Sequence, residues 1–145
     1  MKKIAIFFVI IISLVSSISY MYFNYTKNIE NIRKENLEFE IYKDREIFGT
    51  ELATLINKAI DTNLKNEVLK DNNGKYIDNK KNSIKIDIKF IDNDTEYNIE
   101  KIYNGGIQKF VNYYRDILFK CTNIEYHNST GKIKYMKFKQ VIQWV

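Results

Sequence analysis

Residues 4–23 carry no charged side chain, follow Lys2 and Lys3, and end in the aromatic cluster Tyr20, Tyr22, Phe23 and Tyr25. A run of about 20 apolar residues at ~1.5 Å each covers a hydrocarbon layer of ~30 Å, and within lipid a helix satisfies its own backbone hydrogen bonds. The sequence therefore predicts a transmembrane anchor over residues 1–24. Ser17 and Ser19 also stand where a signal peptidase would need small residues for cleavage after Ser19. The apolar run continues past that site into Met21, Tyr22 and Phe23, ring types that favour the headgroup level of a retained span, so a signal anchor is the preferred reading. Lysines and arginine flank the span on both sides, and the very short tail ahead of it sets the expected topology: N-terminus inside, C-terminal domain outside the cytoplasmic membrane.

The chain has 145 residues, which leaves room for one small domain beyond the anchor. The net charge of +5 falls to +3 once Lys2 and Lys3 are assigned to the membrane signal. Acids and bases alternate along the remainder, whereas nucleic-acid binding calls for a dense basic face, so no nucleic-acid partner is expected. The single cysteine, Cys121, allows no internal disulfide and, with one histidine, no structural zinc site. Heavy use of Ile, Lys and Asn with no proline is read as the bias of an AT-rich, bacterial coding sequence.

Past the span, Tyr22, Tyr25, Ile29, Ile32, Asn36 and Phe39 recur at three- and four-residue steps, so the helix is expected to continue as a juxtamembrane segment and connector over residues 25–46. Ile29, Ile32 and Asn36 form a seam that would pair two copies of the chain; the plainer and preferred reading rests the stripe on the chain's own domain. Residues 47–145 read as a small extracytoplasmic domain. Thr50 is placed as an N-cap with Glu51 in the first turn, and Leu52, Ala53, Leu55, Ile56, Ala59 and Ile60 give a helical apolar face ending near Asn63. A long polar loop follows. Ile84, Ile86, Ile88 and Phe90 alternate with polar residues as a half-buried strand, Asp92, Asn93 and Asp94 turn the chain, and residues 95–103 return as its partner. Gly105 and Gly106 act as a hinge before a short helix near residues 107–116. Residues 117–127 and 132–141 form a second strand pair around the turn at 128–131, with an alternation slip between Tyr135 and Met136 that calls for a bulge or a strand buried on both faces. The expected fold is α+β, a small antiparallel sheet with two helices on a single face in the order α-β-β-α-β-β.

Little in this pattern carries chemistry. Cys121 and His127 lie on one predicted strand about 20 Å apart, too far for a nucleophile and base, so Cys121 is read as a small buried residue. Asp92 and Asp94 lack the spaced loop of a calcium hand. Gly105-Gly106 lacks the phosphate-loop pattern. Lys132, Lys134, Lys137 and Lys139 form a basic stretch, read as protection of an edge strand or, functionally, as attraction to anionic headgroups or an acidic wall polymer. No catalytic, cofactor-binding or metal residue is assigned.

The segment 47–60, in which Gly49, Thr50 and Glu51 lead into the apolar repeat of Leu52 to Ile60, resembles a segment recurring in small uncharacterised single-pass bacterial membrane proteins. The resemblance implies an anchored-domain layout and no activity. In outline the plan is also similar to pilin-like proteins. The sequence thus supports a non-enzymatic, membrane-anchored interaction or assembly module, with a pilin-like subunit or an enzyme using fold-assembled carboxylates as alternatives.

Overall fold

The computed structural model describes residues 2–91 and 95–142; the turn at Asp92, Asn93 and Asp94 lies outside the described residues. Helix α1 (Lys2–Glu40) is followed by β1 (Glu46–Phe48), α2 (Gly49–Lys65), β2 (Lys85–Lys89), β3 (Glu96–Asn98), α3 (Ile99–Tyr114), β4 (Leu118–Tyr126) and β5 (Ile133–Gln140). By contacts the chain divides into two units, Met1–Lys34 and Glu35–Val145.

The first unit is helix alone. It is long and apolar enough to cross a membrane, and none of its apolar window is buried. The hydroxyls of Ser17 and Thr26 donate to the carbonyls four residues back, at Ser13 and Tyr22, which removes their cost in an apolar medium. Glu30 pairs with Lys34 at 3.3 Å, as the i,i+4 spacing predicts.

The second unit is an α+β head. Its sheet has the order β1-β4-β5-β2-β3. Three of the neighbouring pairs are antiparallel, whereas β2 and β5 run parallel, so the sheet is mixed rather than purely antiparallel. Helices α2 and α3 cover one face. Alternation along each strand sends Ile86, Ile88, Phe119, Met136 and Phe138 into that layer, where they meet Leu52, Leu55 and Ile56 from α2. Phe90, Tyr97, Phe110, Tyr114 and Phe119 complete one end of the core as an aromatic cluster with ring centroids 4.7 to 6.4 Å apart.

Several sequence expectations shift. The head begins earlier than residue 47, because Phe39 and Tyr42 are 4 % and 9 % exposed within its core cluster. The short strand β1 stands outside the expected α-β-β-α-β-β order; it pairs with β4 through Ile47 and Phe119. Helix α2 starts at Gly49, with Phe48 rather than Thr50 at the cap position. Phe48 has no side-chain acceptor, but Glu51 accepts the Phe48 amide at 3.1 Å, half of a capping box. The return strand is only three residues long, because the Asn98 side chain accepts the Lys101 amide at 2.9 Å and opens a helix at Ile99. The hinge expected at the glycines is present: Gly106 at φ 98° and ψ 107° is not helical, so α3 is two helical pieces meeting at a kink there, and what the sequence reading missed is the helical piece that precedes it from Ile99. The slip in the last strand is a bulge: Glu125 faces Tyr135 and Tyr126 faces Ile133, leaving Lys134 unopposed.

Acid should unfold the head from two identifiable carboxylates. Arg45 donates to Glu51 at 2.6 Å and, with the Phe48 amide, holds its pKa below the ordinary 4.5. The Lys80 amide first, and then Lys134, hold Asp78 below 3.8. For a carboxyl whose pKa is lower folded than unfolded, the stabilisation is present above the unfolded value and disappears as pH falls through the folded one. Asp87 has the opposite sign, raised chiefly by burial, so it favours the folded state in acid and works against it as pH rises through its own value. With two groups against one, the melting temperature should be lower near pH 3 than near about pH 6, and Arg45→Met should flatten that slope.

Candidate functional site

With helices on one side, the other face of the sheet is open and polar, and the strand register arranges it in rows. Across β1, β4, β5, β2 and β3 the first row reads Glu46, Lys120, Lys139, Lys89 and Glu96. The second reads Asn123, Lys137, Asp87 and Asn98, and the third Glu125, Tyr135 and Lys85. Lys137 reaches Glu96 at 2.5 Å. The Tyr135 hydroxyl bonds to Asp87; burial and that carboxylate push the phenol well above its usual range.

The basic stretch is not an edge. β5 is the central strand of five, so Lys137 and Lys139 cannot serve as edge protection. Lys132 pairs with Glu35 at 2.6 Å and Lys134 with Asp78 at 3.2 Å. Among the described residues neither Lys120 nor Lys139 is ion-paired, and they sit directly opposite each other.

His127 follows β4 and is 3 % exposed. Its Nε2 lies 2.8 Å from the Ser83 carbonyl, which only accepts, so Nε2 carries hydrogen. Its Nδ1 is 3.9 Å from Asp78 Oδ1. The neighbouring hydroxyls are committed elsewhere: Ser129 donates to the Lys80 carbonyl and Thr130 to the Lys81 carbonyl, each at 2.6 Å, while Ser83 donates to Asp78 at 3.2 Å. The result is a clamp in which the 127–131 turn holds loop 78–83. A hollow of about 670 Å³ lies beside it, lined by Asp78, Tyr126, His127 and Lys134 among others. Tyr126 donates to Glu40 at 2.7 Å, and desolvation together with that carboxylate pushes it up to about 12.

Cys121 points to the core side opposite Phe138 and is half-buried, with its thiol pushed up by that burial, so it is a poor nucleophile at neutral pH. It is not brought to His127. Asn36 spends its side chain inside the head, donating to the Gly131 carbonyl at 2.8 Å and accepting from the Ile133 amide at 2.9 Å. No group of three or more His, Cys, Asp or Glu that could hold a metal occurs among the described residues. The rows of the open face were beyond sequence reading, because they join residues from all five strands; only the alternation along each strand foretold their orientation. Comparison with family models, curated proteins and solved structures returns no match.

Proposed function

We propose that this chain is a membrane-anchored, non-enzymatic interaction module, oriented with its N-terminus inside and its head outside the cytoplasmic membrane, and that the open sheet face is the surface it offers a partner. The observation that carries the reading is the apolar window of α1, long enough for a bilayer and with no part of it buried. An unburied helix of that composition is stable in lipid and a liability in water. The open face supports the second half: its charges are fixed in register by a packed sheet, which gives a partner a preorganised pattern. Pairing of two copies is left to Ile29 and Ile32, since Asn36 is engaged within the head.

The test uses Asn72, an exposed loop position, as Asn72→Cys in a Cys121→Ser background. An impermeant maleimide should label this protein in intact cells, and carbonate washing should leave it with the membrane. Labelling only after lysis would overturn the topology, and recovery of a soluble chain shortened after Ser19 would overturn the anchor.

A further inference from the structure

β3 ends at Asn98, opposite Asp87, so on that side β2 has no strand neighbour at Lys85 and Ile86. A hollow of about 190 Å³ opens there, lined by Lys75 and Tyr76 from the loop ahead of β2, Lys85 and Asp87 from β2, and Asn98 and Glu100 at the start of α3. Glu100 is the one buried acid among the described residues, at 6 % exposure. Its Oε1 accepts the Tyr76 amide at 2.8 Å, and no described donor meets Oε2. Glu35, Glu38, Glu51, Asp78 and Glu96 are all more exposed, yet each meets a lysine or arginine. Glu100 meets none, although Lys75 and Lys85 line the same hollow. An unpaired charge kept nine-tenths out of water is costly, and the dipole at the start of α3 offsets only a part of that cost. Asp87 brings a second carboxylate, its pKa raised first by burial and then by the charges of Glu96 and Glu100.

We propose that this hollow binds a free α-amino acid with a short side chain, its ammonium held by Glu100 and Asp87 and its carboxylate by Lys75 and Lys85. Two acids and two lysines surround one small space without forming an ion pair among themselves, and an α-amino acid carries the complement, both charges on one carbon. A metal ion would face two ammonium groups, and no group of three acidic, histidine or cysteine ligands stands ready for it among the described residues. An anion would face the buried carboxylate. The volume lies below the ~300 Å³ at which pockets for larger ligands begin, so the side chain must be short. The inference goes beyond the partner surface proposed above and does not rest on it: the hollow belongs to the head alone, on whichever side of the membrane the head stands.

Calorimetric titration of the full chain in neutral-lipid nanodiscs with L-alanine tests it, since every short amino acid presents the same two charges. Binding should be saturable. Ethylamine, which is alanine without the carboxylate, and propionate, which is alanine without the ammonium, should each bind roughly tenfold more weakly or worse. Glu100→Gln keeps an acceptor for the Tyr76 amide but removes the charge, and should weaken alanine and ethylamine alike, by roughly tenfold or more. Lys85→Gln should weaken alanine while leaving ethylamine as in the parent. That split cannot come from damage to the fold, and it decides the matter even if Glu100→Gln fails to fold. Absence of alanine binding, parent-like alanine binding by Lys85→Gln or by a folded Glu100→Gln, or equal loss of alanine and ethylamine in Lys85→Gln overturns the assignment. So does binding of calcium chloride, or of the dipeptide alanyl-alanine, as tight as that of alanine, because the hollow would then serve a metal or a peptide end.

Discussion

Gly49→Ala should abolish or severely destabilise the head, by roughly 3 kcal/mol or more. A Cβ at this position would stand 1.9 Å from the carbonyl oxygen of Tyr114 and 2.6 Å from its carbon. Both are backbone atoms at the end of α3 and cannot rotate away. The approach is close because the Gly49 amide donates to the Ile117 carbonyl at 3.0 Å, seating the start of α2 against the turn between α3 and β4. Of a total stability of about 5–15 kcal/mol, such a loss is a large share, and the melting temperature should drop by about 10 °C or more. A melting curve superimposable on the parent's would mean that the helices do not meet there. Glycine's usual role, access to positive φ, is not what holds this position; the requirement is space.

Asn63→Ala should cost about 2–5 kcal/mol, nearly as much, without creating any clash. Asn63 is fully buried, and its amide nitrogen donates to the Ile84 carbonyl while its oxygen accepts from the Ile84 amide, both at 2.8 Å. The side chain acts as a strand neighbour for the residue just ahead of β2. Truncating it strands two backbone groups away from water, each costing about 1–3 kcal/mol. Asn63→Asp should be at least as harmful, because it replaces the donor facing the Ile84 carbonyl with an acceptor oxygen and buries a charge. Amide exchange reads the mechanism directly: the Ile84 proton, protected in the parent, should exchange early in Asn63→Ala. Continued protection would show that another group had taken the place of Asn63.

These two positions mark what sequence reading reaches in this chain. The apolar run, the α2 repeat and the alternation around Ile86 are legible because each is a local period whose physical cause lies within a few residues. Thr50 misled as a cap because Glu51, one place on, supplies the contact from the other direction. The early start of α3 turned on one Asn98 side chain competing with strand propensity at Tyr97 and Ile99. The need for glycine at 49 and for asparagine at 63 arises from residues 65 and 21 positions away, and no local pattern records it. The candidate face was least legible of all. Lys139 reads as the guard of an outer strand until the parallel pairing of β2 with β5 turns that strand inward.

The same pairing sets a schedule. Of the head's described elements β5 (Ile133–Gln140) is the last to leave the ribosome, yet it is the strand to which both halves of the sheet are joined. Until Gln140 has emerged, the β1–β4 pair and the β2–β3 hairpin have nothing to join them, and the apolar faces of α2 and α3 have only half a sheet to cover. The nascent head must therefore wait, threadlike and in need of shelter, and then assemble in one late step.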